Sequence, residues 1–99
     1  MNDAQRELVA CLDEIAQLAR KRAVDWPEGY RHEQYKRIAE IADGHKQTLT
    51  EKNFPHMGTG AGLGLGKGLG EWGFPENGDQ QITDLAYKAD ELHRTGDVS

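Results

Sequence analysis

Four histidines, one cysteine and a run of alternating glycines are the residues of this 99-residue chain whose types could do chemistry. Each is limited by its spacing. His32-Glu33-Gln34-Tyr35-Lys36 opens like the zinc-protease helix His-Glu-x-x-His, but Lys36 stands where the second ligand must lie one turn on. His45 falls on an apolar helical stripe and reads as a core or boundary histidine. His56 and His93 have no carboxylate or thiol at ligand spacing, so no metal site is expected. Cys11 also lies on an apolar stripe, where a buried inert thiol is the default and a nucleophile would need an activating base. With no catalytic constellation, the chain is not expected to be an enzyme.

The glycines offer backbone chemistry instead. Gly occupies 58, 60, 62, 64, 66, 68, 70 and 73, eight of sixteen positions. N–H groups freed of side chains can wrap an anion. A Walker-type loop, however, needs Gly, four residues, then Gly-Lys-Ser/Thr; the nearest register runs from Ala61 to Gly66-Lys67-Gly68 and lacks the first glycine and the hydroxyl. Gly68-Leu69-Gly70-Glu71-Trp72-Gly73 spells Gly-x-Gly-x-x-Gly, but no strand is predicted before it, as that fingerprint requires. No cofactor is therefore expected. The alternative functional reading keeps the anion: a phage-encoded, oligomeric protein that sequesters or senses a nucleotide-like ligand between the glycine segment and Arg20, Arg22, Arg37 or Lys67.

Helices must position these residues. Residues 3–23 carry Leu8, Cys11, Leu12, Ile15, Leu18 and Ala19 at three- and four-residue intervals, with Asn2 or Asp3 as a natural N-cap. The basic run Arg20-Lys21-Arg22 falls in the last turn, where cations complement the helix dipole. Trp26-Pro27-Glu28-Gly29 reads as a type I turn. A second helix begins near Tyr30 or Arg31, with Tyr35, Ile38, Ala42, His45 and Leu49 on its stripe. It is expected to continue through Gly44 to about Glu51 and to end at Asn53-Phe54-Pro55, since the residue before a proline is pushed out of the helical region. From 58 to 78 a glycine-rich loop is expected, with a helical turn near Leu63 to Leu69. A last helix runs from Asn77 to Asp79 as far as Thr95, with Ile82, Leu85, Ala86, Ala89 and Leu92 on its stripe and Gly96 as its stop. The expected architecture is all-α: a single domain over 1–99, an antiparallel bundle of about three helices with a long glycine-rich loop.

Composition narrows the function further. Ten Ala leave only 18 Leu, Ile, Val and Phe, so the core is thin, but a net charge of −5 is too small to keep the chain unfolded. The acid excess argues against nucleic-acid and anionic-membrane binding, which need a cationic footprint. Asp3, Arg6, Glu7, Asp13 and Glu14 interrupt the N-terminal stretch, so neither a signal peptide nor a membrane span is read there and a cytoplasmic location is expected. A single cysteine agrees with a reducing compartment. Residues 58–99 hold three Lys/Arg against seven Asp/Glu. Within them, Glu71, Trp72, Phe74, Glu76 and Asp79 set two aromatics among three carboxylates. Such a patch suits a basic protein partner, the rings supplying contact and the carboxylates steering. The rings are equally suited to fold back on a core short of large side chains, and both uses can hold together.

A helical pair, a glycine-containing segment entered through Pro55-His56-Met57-Gly58 and a final helix after Asn77-Gly78-Asp79 make the chain similar to small acidic immunity proteins of bacterial polymorphic or contact-dependent toxin systems. The long alternating glycine run departs from that group. The resemblance implies inhibition by binding: the chain covers the active site of a toxin with a basic surface, acting as a monomer or homodimer. Glu71, Glu76, Asp79 and Asp84, with Trp72 and Phe74 as anchors, are the contact it implies.

Overall fold

A computed structural model describes residues 1–66 and 80–96. Among them are three helices, α1 (Asp3–Asp25), α2 (Tyr30–Glu51) and α3 (Gln80–Thr95), and no strand. The all-helical class read from the periodicity is the observed one.

Local chemistry sets the ends of α1. Its first turn is closed by a capping box: the Gln5 N–H donates to the Asn2 side chain at 2.8 Å, and the Asn2 N–H donates to Gln5 Oε1 at 2.9 Å. Two donors that the helix leaves orphaned are thereby satisfied. At the other end, His32 Nδ1 lies 2.9 Å from the Ala23 oxygen and 3.0 Å from the Trp26 oxygen, so a proton on that nitrogen is shared by two carbonyls. The four-residue link to α2 closes on Gly29, whose φ of +90° is a conformation that side chains disfavour.

α2 continues through Gly44 as expected. It stops where the proline rule placed the stop, but by another route: Asn53 and Phe54 turn left-handed, with φ of 57° and 55°, rather than extended. That conformation is costly for a bulky residue. It swings the Phe54 ring into the core, where only 5% remains exposed, and lets the Phe54 N–H bond the Leu49 oxygen at 2.7 Å. α3 ends at Thr95, before Gly96, as the sequence suggests, yet Gly96 is not left-handed. A Cβ there would collide with the Leu92 carbonyl and the Met57 methyl, so the glycine is a matter of space.

α1 packs against both α2 and α3. Its buried face, Leu8, Leu12, Ile15, Ala16, Ala19 and Ala23, meets Tyr35, Ile38, Ala39, Ala42 and Leu49 of α2 and Ile82, Ala86 and Ala89 of α3 in one cluster. Phe54, Met57 and Leu65 join it from the connecting segment. Alanines supply seven of these core positions. Small side chains let helix backbones approach closely, and density replaces bulk as the source of dispersion contacts. The thin count of large apolar residues is therefore a thin core only by volume. No helix among the described residues is long and apolar enough to cross a membrane.

Candidate functional site

The glycine segment does wrap an anion, and the anion belongs to the chain. Asp90 on α3 accepts the N–H groups of Leu63 at 3.0 Å and Leu65 at 3.2 Å on Oδ1, and that of Gly66 at 2.9 Å on Oδ2. Leu65 and Gly66 are helical, so this carboxylate caps the beginning of a turn in trans, where N–H groups point outward without partners. Of the turn expected near Leu63 to Leu69, Leu65 and Gly66 are helical, and positions 67–69 lie outside the described residues. Gly66 lets the Tyr87 ring lie close: a Cβ would stand 2.6 Å from it, and the exposed ring would have to swing outward to admit one.

One turn along α3, His93 fastens the same segment. It is 4% exposed, with Nδ1 2.5 Å from the Ala61 oxygen and Nε2 3.2 Å from the Pro55 oxygen. Both neighbours are acceptors, so both bonds form only when both ring nitrogens carry a proton. The backbone completes the clasp, with Gly58 N–H donating to the His93 oxygen at 2.7 Å and Gly60 N–H to the Arg94 oxygen at 3.0 Å. These are carbonyls that the end of a helix leaves unpaired. Half-buried His45 of α2 lies close enough to feel both groups. Burial pushes its imidazole below the ordinary value of 6.5, the Asp90 charge opposes the shift and the His93 charge adds to it.

The remaining chemical candidates are inert or outward. Cys11 is buried, its Sγ directed at the Leu85 oxygen at 3.2 Å, and burial raises its thiol above 9.0. A raised thiol is a poor nucleophile. Among the described residues no group of three or more His, Cys, Asp or Glu is placed to hold a metal ion. Of the proposed nucleotide cations, Arg20 pairs with Asp43 and the Arg22 guanidinium lies 3.5 Å from the Gln81 amide oxygen. Gln81 and Asp90 are nine positions apart on α3, about 13 Å at the helical rise, so Arg22 does not converge on the glycine N–H groups. Lys67 lies outside the described residues.

Of the residues read as a partner contact, Glu71, Trp72, Phe74, Glu76 and Asp79 lie outside the described residues; Asp84 lies within them. It is exposed on α3 and accepts from the Gln80 amide at 2.8 Å. One turn on, Tyr87 is 57% exposed. Together with Lys88, Glu91 and Arg94, and facing Gly62 and Gly64, they border an open recess of about 690 Å³. Its rim holds the carboxylates of Asp84, Asp90 and Glu91 against two cations, and the Arg94 guanidinium is already paired with Glu91.

Spacing alone marks His93 only as a histidine without ligand partners and does not mark Asp90, although a signal for the buried role of His93 exists. His93 continues the buried spacing Ile82, Ala86, Ala89 of α3, and a polar residue at a core position must find partners. Leu92, expected on that stripe, is only half-buried. Compared with known proteins, the chain matches no family model, no curated protein and no solved structure.

Proposed function

We propose that this chain is a protein-binding inhibitor of the immunity or antitoxin kind, which acts by covering the active site of a toxin rather than by chemistry of its own. The observation that carries the reading is the outer face of α3, where Asp84, Tyr87 and Glu91 repeat at helical intervals and alternate carboxylate with ring. That face continues the pattern of Glu71, Trp72, Phe74, Glu76 and Asp79, and the contact is proposed to run from those residues through Asp84. Its charge suits a basic groove, with the acidic groups standing in for displaced phosphates. A protein ligand is favoured over a nucleotide because the N–H groups of Leu63, Leu65 and Gly66, which could otherwise meet a phosphate, already hold Asp90.

The same reading takes the helices as an antiparallel bundle in one domain, with 58–78 as its glycine-rich loop, working in the cytoplasm as a monomer or homodimer. Contacts of early α1 with the middle of α3, Glu7 with Lys88 and Cys11 with Leu85, and of late α1 with early α3, Arg22 with Gln81, support the antiparallel course. Coexpression with the product of the neighbouring gene tests the function. Growth arrest by that product should be relieved by the wild type and restored by Asp84→Lys with Tyr87→Ala, or by Trp72→Ala with Glu76→Lys. Relief that survives both pairs would remove this contact surface, and a neighbour without toxicity would count against the class.

A further inference from the structure

The clasp between α3 and residues 55–61 turns on the protons of one ring. His93 is almost wholly buried, with Nδ1 2.5 Å from the Ala61 oxygen and Nε2 3.2 Å from the Pro55 oxygen. Neither oxygen can donate, and a neutral imidazole carries only one N–H. The neutral ring would therefore turn a lone pair towards one of the two carbonyls, whereas the imidazolium bonds both.

The surroundings of the ring suit the cation. His93 lies in the last turn of α3, where a positive charge meets the negative end of the helix dipole. Asp90 precedes it by three positions, the spacing of neighbours on one helix face. Against the charge stand burial and half-buried His45 of α2, since the charges of the two imidazoles disfavour each other. The other charged groups near this end are engaged or turned outward. Arg94 and Glu91 of α3 pair with each other, Glu7 of α1 lies 3.8 Å from Lys88, Asp3 of α1 pairs with Arg6, and His56 in the segment itself is exposed.

The segment is also poised to move. Asn53, Phe54 and His56 hold φ of 57°, 55° and 63°, left-handed values that are costly for residues with a side chain. Pro55 stands among them, and its carbonyl makes the longer of the two bonds to His93. That bond is the one a neutral ring gives up first.

We propose that His93 is a proton-operated latch: the imidazolium closes residues 55–61 against the end of α3, and release of one ring proton to water frees the Pro55 carbonyl and loosens the segment. Closure holds the proton, so acid favours it and it weakens as pH rises through the range in which an imidazole changes charge, about pH 5 to 8. His45 acts in the opposite sense, because its proton uptake, below 6.5, sets a second cation beside the first. Gly62 and Gly64, which continue the segment, border the recess beside Asp84 and Tyr87, so the latch governs how firmly that wall is held. It needs no partner, and its test and the growth test fail separately.

Nuclear magnetic resonance of the nitrogen-15-labelled full-length protein reads both the ring and the segment. At pH 6 both ring nitrogens of His93 should carry protons, and the Gly58 and Gly60 amides, which bond the His93 and Arg94 carbonyls, should be protected from exchange. By pH 8.5 one ring proton should be gone and protection, corrected for the intrinsic pH dependence of exchange, should fall about tenfold, as loss of one bond to a charged donor implies. His45→Gln should keep this transition. His93→Gln, which has no proton to lose in this range, should abolish it, and the wild-type spectra decide alone if that variant does not fold. A single neutral tautomer of His93 at pH 6 with both amides protected would overturn the proposal, as would a ring still doubly protonated at pH 8.5. So would loss of the ring proton without a change in protection, or an undiminished transition in His93→Gln.

Discussion

Asp90 converts a feature that reads as a ligand loop into part of the fold. Glycine at alternate positions exposes N–H groups, and the nearest anion is a carboxylate 24 residues further along the chain from Gly66. Hydrogen bonds to an ionised group contribute about 1.5–3 kcal/mol net where the alternative is an unsatisfied donor, but water can reach much of this segment once it opens. Asp90→Ala should therefore cost about 2–3 kcal/mol in urea unfolding, and Asp90→Asn less, since its one oxygen can still accept. A loss below about 0.5 kcal/mol, the size of an ordinary surface change, would mean that the clasp contributes little to stability. Titration gives a second residue-level expectation. The folded state holds His45 below its ordinary 6.5, so the unfolded chain takes up a proton first and stability declines as pH falls below about 6.5. Cys11 is held above 9.0, so the unfolded chain releases its proton first and stability declines as pH rises past 9.0. Urea midpoints measured from pH 5 to 10 should fall on both sides, and His45→Gln should flatten the acid limb.

At the scale of elements, helices were legible because their signals are local. The spacing of Leu8, Leu12 and Ile15, the Asn2 cap and the passage through Gly44 all depend on residues within a few turns of one another. What escaped is tertiary. Nothing near Phe54 announces a left-handed turn, because its compensation is the core that receives the ring. Likewise, His93 is buried because Pro55 and Ala61 arrive from another segment with their carbonyls. Gly44, inside α2, and Gly96, just past the end of α3, show the same division and predict opposite outcomes. Gly44 is exposed, has nothing within 4 Å of an added Cβ, and sits in a continuous helix. Gly44→Ala should raise stability by about 1 kcal/mol through helix propensity alone. Gly96→Ala, which drives a methyl onto the Leu92 carbonyl and Met57, should lower it by about 1–3 kcal/mol, the usual range for overpacking. Thermal melts of the two variants, moving in opposite directions from the wild type, would check both.

Across the whole molecule, the described polar and aromatic groups divide into those turned inward to close the fold and those left exposed. Asp90, His93 and the glycine N–H groups belong to the first set; Asp84, Tyr87, Trp26 and Tyr30 belong to the second. This division separates the two functional readings that the sequence leaves open, protein binding and nucleotide sequestration. A ligand that binds only the folded state raises its stability by RT ln(1 + [L]/Kd), about 2.7 kcal/mol at a hundredfold excess over Kd. With the cradle already occupied by Asp90, millimolar nucleoside mono-, di- or triphosphate should leave the melting temperature of the wild type where it was. Inorganic phosphate should likewise leave the wild type unaffected but partly restore Asp90→Ala, because the three N–H groups then lack their carboxylate. A nucleotide-dependent rise in the wild type would displace the protein-binding reading. Equal effects of phosphate on both proteins would instead locate anion binding elsewhere, with the basic residues between 20 and 37 as the next place to look.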